Sequence, residues 1–331
     1  MHNLLWLQSG GCGGCSMSLL NAESPDVIAL FEAADINLLW HPSLSEASGR
    51  EFLAILNDIL NDRLSLDILC IEGSMMTGPN GTGRFHVMGG TGKPMIEWVS
   101  ELAAKSRHTV AVGSCAAYGG ITAAADNLTD ATGLQFEGEQ TGGLLGDDYR
   151  SQSGNKVVNI AGCPTHPDWV TETLTSIAMN EHTDDDLDEL ARPRMYADHL
   201  VHHGCNRNEF YEYKASAESL GDRGCMMENT GCKGTQAHAD CNIRPWNGQG
   251  SCTNGGYPCI NCTAPEFEEP GHTFTRTPKV AGIPVGLPTD MPKAWFVALA
   301  SLSKAATPNR LKQNAVSDQL IYPPTIYKRD K

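Results

Sequence analysis

Two cysteines three residues apart, Cys12 and Cys15, lie in the glycine-rich run Gln8-Ser9-Gly10-Gly11-Cys12-Gly13-Gly14-Cys15-Ser16, directly after an apolar stretch at 4–7. A thiol pair on such a loop is half of a metal site, so the fold must bring the other ligands from elsewhere in the chain. The N-terminus carries no basic region followed by an apolar stretch and a cleavage site, and no twin-arginine pair, so the expected location is cytoplasmic. Thiols stay reduced there, and metal ligation rather than disulfide pairing is the expected use of the chain's 12 cysteines.

Where the partners lie follows from the organisation of the first half. Apolar, strand-like runs at 4–7, 36–40, 66–71, 109–112 and 156–161 alternate with helical patterns at 17–21, 94–105 and 167–179. A further helix carries Phe52, Ile55, Leu56, Ile59 and Leu60, with Ser48 as its expected cap. Strands separated by helices imply an α/β fold with a mostly parallel sheet covered on both faces. In such sheets ligands bind beyond the carboxyl ends of the strands. Cys12 and Cys15 follow the first strand, Cys115 in Gly-Ser-Cys-Ala follows the fourth, and Cys163 in Gly-Cys-Pro follows the fifth. Four thiols are thus expected at one sheet edge. Cys70, inside the third strand among Ile68, Leu69 and Ile71, reads as a small buried hydrophobe. The run at 89–94, Gly-Gly-Thr-Gly-Lys-Pro, lacks the first glycine and final hydroxyl residue of a phosphate loop and reads as an ordinary loop before a helix.

After residue 180 the pattern changes. Periodicity fades, and glycine, asparagine, proline and cysteine are dense from 202 to 270. A stretch this long without regular elements needs something besides an apolar core to hold it, and metal centres would do so. It contains His202-His203-Gly204-Cys205, Cys225, Cys232, Cys241, Cys252 and Cys259-x-x-Cys262. Seven cysteines and one histidine suffice for two four-ligand sites. Prolines at 278, 284, 288 and 292 suggest an extended arm, and 295–302 a short apolar helix.

The formal net charge of −15 argues against a nucleic-acid partner, since no segment clusters the lysine and arginine that phosphate binding needs. The acidic run at 184–189 reads as a solvated linker or helix start. No run approaches eighteen apolar residues, so no membrane span is expected. As to the metal, structural zinc sets usually pair two Cys-x-x-Cys knuckles at close range. Here the two such pairs stand near opposite ends of the chain, and the other thiols are single, which suits iron-sulfur cubanes held by several loops. Three sites in one chain suggest an electron relay.

Leu-Trp-Leu-Gln-x-Gly-x-Cys-x-Gly-Cys at 5–15, Glu72-Gly73-Ser74, Gly113-Ser114-Cys115-Ala116, Gly162-Cys163-Pro164 and Pro258-Cys259-x-x-Cys262 together resemble the small subunit of nickel-iron hydrogenases, over about residues 3–300. The resemblance implies a flavodoxin-like domain at 1–180 carrying a proximal cluster, and an irregular, cluster-stabilised iron-sulfur domain at 181–331 carrying medial and distal clusters. It implies Cys12, Cys15, Cys115 and Cys163 as proximal ligands, His202, Cys205, Cys225 and Cys232 as distal ligands, and Cys241, Cys259 and Cys262 as medial ligands. It also implies a nickel-iron site only in a large-subunit partner, transfer to an acceptor protein or quinone-linked carrier, and a dimer of heterodimers. Glu72, at the third strand's end, either tunes the proximal cluster or anchors a loop.

The chain departs from the family pattern in three places. Cys252 stands where the family's medial site usually has proline beside a [3Fe-4S] cluster, so the expectation is a medial [4Fe-4S] cluster and three [4Fe-4S] clusters in all. Gly14 and Gly120 stand where membrane-bound, oxygen-tolerant enzymes place two extra cysteines. Six residues, rather than five, separate Cys225 from Cys232. The expected lack of an export signal and of a membrane anchor departs from the periplasmic membrane-bound type and resembles instead the soluble actinobacterial-type uptake enzymes. The alternatives are a zinc-stabilised scaffold without redox function and an iron-sulfur subunit of a quinone-reducing complex, against which residues 200–265 discriminate.

Overall fold

The computed structural model describes residues 1–269, 274–285, 287 and 292–321. The chain forms two compact units, one of Met1–Asp198 with Cys262–Pro270, the other of His199–Asn261 with Gly271–Lys331.

The first unit is built on five parallel strands: β1 (His2–Gln8), β2 (Ile36–Trp40), β3 (Leu66–Glu72), β4 (Ser106–Val112) and β5 (Val158–Ile160). Their order is β2-β1-β3-β4-β5, the flavodoxin-like arrangement, whose topological switch lies between β1 and β3. Leu4, Leu5, Trp6 and Leu7 in β1 are all buried, as are Leu69, Cys70 and Ile71 in β3. Unbroken apolar runs of this kind form because both faces of a parallel sheet are covered. The helices are α1 (Gly14–Leu20), α2 (Val27–Ala33), α3 (Arg50–Leu60), α4 (Met95–Lys105), α5 (Ser114–Tyr118), α6 (Pro167–Ala178) and α7 (Arg194–Ala197). α1 and α2 pack with α6, and α3 packs with α4.

Three local features differ from the sequence reading. Ser48 does not cap α3 with its side chain: Gly49, at φ +52°, is the cap residue, and Ser48 supplies only its carbonyl to Glu51 N–H at 3.1 Å. β4 begins three residues early, because Ser106 and His108 pair with Leu66 and Ile68 despite their polarity. β5 begins late, because Lys156 N–H donates to the Asp184 carboxylate at 3.0 Å and Val157 N–H to the Gln135 side-chain oxygen at 3.0 Å, instead of joining the ladder. The acidic run at 184–189 opens as a 3-10 turn over Asp184–Asp186, while Asp188 pairs with the buried Arg192 at 2.7 Å. In the loop at 89–94, Lys93 pairs with Glu101 and lies 4.2 Å over the Trp98 ring.

The second unit has little regular structure before residue 279. It holds α8 (Asn208–Glu212), a hairpin of Lys279–Val280 with Ile283–Pro284, α9 (Lys293–Ala306) and α10 (Asn309–Ala315). The expected proline-rich arm thus includes a hairpin; Pro288 lies outside the described residues. The apolar clusters are small: Tyr211, Met227, Leu287 and Phe296 form one, and Ala215, Leu311 and Ala315 another. Phe296 is buried, while Trp295 on the same helix is 65% exposed. Among the described residues no helix is long and apolar enough to cross a membrane.

Leu69 sits at the centre of the sheet with no exposed surface. Leu69→Ala is expected to cost about 2–5 kcal/mol of stability, read as a lowered thermal midpoint of the first unit.

Candidate metal centres

The loops at the carboxyl edge of the sheet are tied to one another by backbone and side-chain hydrogen bonds. Ser9 N–H donates to Glu72 O at 2.7 Å, and Gly10 and Ser74 exchange N–H to carbonyl bonds at 3.0 and 2.8 Å, joining the loops after β1 and β3. Ser114 N–H donates to Gly162 O at 3.0 Å, and Gly162 N–H donates to Ser114 Oγ at 2.9 Å, joining the loops after β4 and β5. Ser18 Oγ donates to Thr165 O at 2.6 Å and links α1 to the loop after β5.

These ties bring the four predicted proximal thiols together. Cys15 is buried in the first turn of α1, and Cys12 is exposed on the loop before it. Cys115 lies on α5 and Cys163 just before α6. Burial pushes the Cys115 thiol up to about 12, helped by the nearness of Cys163 and Cys12. Burial likewise pushes Cys163 up to about 11, with Cys262 and Cys12 adding to it. Cys15 is raised well above the ordinary thiol range by burial, with Glu72, Cys115 and Cys163 contributing. The backbone approaches closely here: a Cβ on Gly113, whose φ is +87°, would lie 2.4 Å from Cys15 Sγ.

Glu72 acts as an anchor in this structure. Its Oε1 accepts from Cys15 N–H at 2.9 Å and Ser16 N–H at 3.1 Å, while Oε2 accepts from the Ser16 hydroxyl and from Trp6 Nε1 at 3.3 Å. These donors offset the cost of burying a carboxylate that is only 2% exposed.

In the second unit, His202, Cys205, Cys225 and Cys232 line a single cavity, together with Arg207, Tyr211, Met226 and Met227. The His202 ring sits edge-on to Tyr211 at 4.3 Å, whereas His203 is exposed. Burial pushes Cys225 up to about 12, with Cys232 and Cys205 adding to it. Arg207 N–H donates to Cys205 Sγ at 3.4 Å, and its guanidinium donates to the carbonyls of Asp222, Gly224 and Thr253 at 2.6, 2.7 and 3.3 Å.

The predicted medial ligands divide between the units, with Cys241, Cys252 and Cys259 in the second and Cys262 in the first. Asn242, next to Cys241, accepts on its side-chain oxygen from the hydroxyls of Ser251 and Thr253, on either side of Cys252. That ties the Cys241 and Cys252 loops together. Cys259 N–H donates to Cys232 Sγ at 3.4 Å. Cys262 offers its carbonyl to Ser114 Oγ. Cys70 is fully buried in β3 and joins none of these groups.

The donor sets fit multi-iron clusters better than single ions. The thiols come singly from several loops rather than as the paired knuckles usual for structural zinc. Buried thiols that repel one another as thiolates need a strongly cationic core to hold them deprotonated. Lys233 Nζ, beside Cys259 in the second unit, is buried without a hydrogen-bond partner, as expected where a bound anionic group would complete it. Neither Arg207 nor Lys233 belongs to a motif; the signal in the sequence is only that each lies within two residues of a predicted ligand, Cys205 and Cys232.

Residues 12–177 match the family profile of the 20 Kd subunit of NADH ubiquinone oxidoreductase, and residues 197–275 match that of the C-terminal part of the NiFe/NiFeSe hydrogenase small subunit. The chain is 37% identical over 287 residues to the F420 non-reducing hydrogenase II small subunit of Methanosarcina mazei, covering 80% of this chain and 73% of the relative. It is 34% identical to the periplasmic [NiFeSe] hydrogenase small subunit of Desulfomicrobium baculatum, covering 80% and 84%. Among solved structures it resembles the actinobacterial-type NiFe-hydrogenase of Ralstonia eutropha H16, with a TM-score of 0.75, 30% identity, and 93% and 92% of the two chains covered.

The close approach at Gly113 yields a direct expectation. Gly113→Ala should displace Cys15 Sγ and lower the iron retained by anaerobically purified protein, whereas Gly89→Ala, where an added Cβ meets nothing within 4 Å, should leave iron unchanged.

Proposed function

Because the chain belongs to the nickel-iron hydrogenase small-subunit family, we propose that it is the electron-transfer subunit of a hydrogen-oxidising enzyme. In this reading electrons leave a nickel-iron site in a large-subunit partner, cross three [4Fe-4S] clusters in this chain and reach an external acceptor protein or quinone-linked carrier. A cytoplasmic location and a dimer of heterodimers belong to the same proposal.

The observation that carries the reading is the presence, in one chain of this family, of two gathered four-ligand sets: the thiols at the sheet edge and the ligands lining the cavity of the second unit. When bound, iron-sulfur clusters supply reversible one-electron transfer. Cys12, Cys15, Cys115 and Cys163 would hold the proximal one, with Glu72 fixing the Cys15 turn from behind. His202, Cys205, Cys225 and Cys232 would hold the distal one. The neutral imidazole of His202 leaves less negative charge there than a fourth thiolate, which favours the reduced state at that end of the relay. Cys241, Cys252, Cys259 and Cys262 would hold the medial one.

The rival reading, an iron-sulfur subunit of a quinone-reducing complex, rests on the profile that matches 12–177. Residues 197–275 instead match the hydrogenase profile and hold the whole distal set, which favours the hydrogenase reading.

Isolated anaerobically with its large-subunit partner, the protein should be brown, bleach on reduction, contain about twelve irons per chain and pass electrons from hydrogen to an artificial acceptor. A colourless, zinc-only protein would overturn the proposal. Paramagnetic resonance of the oxidised enzyme should lack a [3Fe-4S] signal, and Cys252→Pro should create one; a [3Fe-4S] signal in the unmodified enzyme would remove Cys252 from the ligand set.

A further inference from the structure

Lys233 is the residue after Cys232, and its backbone N–H donates to Cys259 O at 2.8 Å, while Cys259 N–H donates back to Cys232 Sγ at 3.4 Å. The lysine is therefore framed by one predicted distal ligand and one predicted medial ligand, all within the second unit. Its Nζ is buried and has no hydrogen-bond partner. Arg207, the other cation near these thiols, differs: its guanidinium is engaged by three backbone carbonyls and serves to clamp the loops. An ammonium buried without a partner is costly to keep. What could complete it is negative charge on the sulfur-rich group that Cys259 helps to hold.

We propose that Lys233 is a positioning residue for the electron relay, setting its ammonium against the medial cluster and raising that cluster's reduction potential above what four thiolates alone would give. The inference rests on the three-cluster reading. A positive charge held close in a water-poor site stabilises the more negative, reduced state, and net charge near a cluster is a principal determinant of its potential. Cys252, as a fourth medial thiolate, pulls the potential down, and Lys233 opposes it. The balance keeps the middle of the relay from becoming a barrier between its two ends.

The test is a redox titration of the complete enzyme with its large subunit, followed by low-temperature paramagnetic resonance, comparing the unmodified protein with Lys233→Met and Lys233→Arg. Lys233→Met should move the medial midpoint to more negative potential while the proximal midpoint stays in place, and Lys233→Arg should stay close to the unmodified value. If Lys233→Met retains all its iron and the medial midpoint does not move, or all three midpoints move together, the proposal is overturned. If Lys233→Met loses medial iron, Lys233→Arg decides: retention of iron supports a role for the charge, and loss overturns it in favour of packing. Absence of cluster signals from the unmodified enzyme would instead sink the relay reading itself.

Discussion

The buried carboxylate of Glu72 is the contact on which the first unit's site depends. It ends β3 at the centre of the sheet and accepts from the first backbone N–H groups of α1, from the Ser16 hydroxyl and from the Trp6 indole. A helix start leaves N–H groups unsatisfied, and α1, whose own cap Gly13 offers no side-chain acceptor, draws this one from a strand 57 residues away. The consequence is positional. The turn carrying Cys15 is pinned to the end of β3, and the backbone pairs between Gly10 and Ser74 hold the Cys12 loop beside it. Cys115 and Cys163 then arrive on their own laced loops. Each loop at this edge is thus held by another loop.

The second unit solves the same problem with different means. Among the described residues its apolar clusters are small, and side-chain hydrogen bonds tie its loops: Arg207 donates to three backbone carbonyls, Thr277 Oγ1 to Met227 O at 2.7 Å, and Asn242 Oδ1 accepts from the hydroxyls flanking Cys252. Phe296 from α9 packs against Tyr211 and Met227, with Cys225 beside them, so α9 backs three of the residues that line the cavity with His202.

Much of this was legible from residues alone, and the misses have physical causes. The β1 and β3 strands were plain because a strand buried on both faces has no polar alternation to confuse it. The start of β4 was missed because Ser106 and His108 are polar, yet their ladder bonds form and their side chains find partners such as Thr109 and Ser153. Ser48 looked like a cap by residue type, but the chain turns at Gly49, where a positive φ is free of side-chain cost. Glu72 had two readings from sequence, and its four donors show that it anchors the Cys15 turn.

The sequence by itself determined the family and set out the candidate ligands: thiols after the first, fourth and fifth strands, a His-x-x-Cys opening a cysteine-dense segment, and motifs shared with hydrogenase small subunits. It could do so because residue type and spacing are written along the chain, and a mostly parallel sheet follows from the alternation of strands and helices. Only the tertiary structure decided which charges surround those ligands. Glu72 behind Cys15, Arg207 across three loops and the unpartnered ammonium of Lys233 beside Cys259 depend on how chain segments far apart in sequence come together, and no local pattern records that.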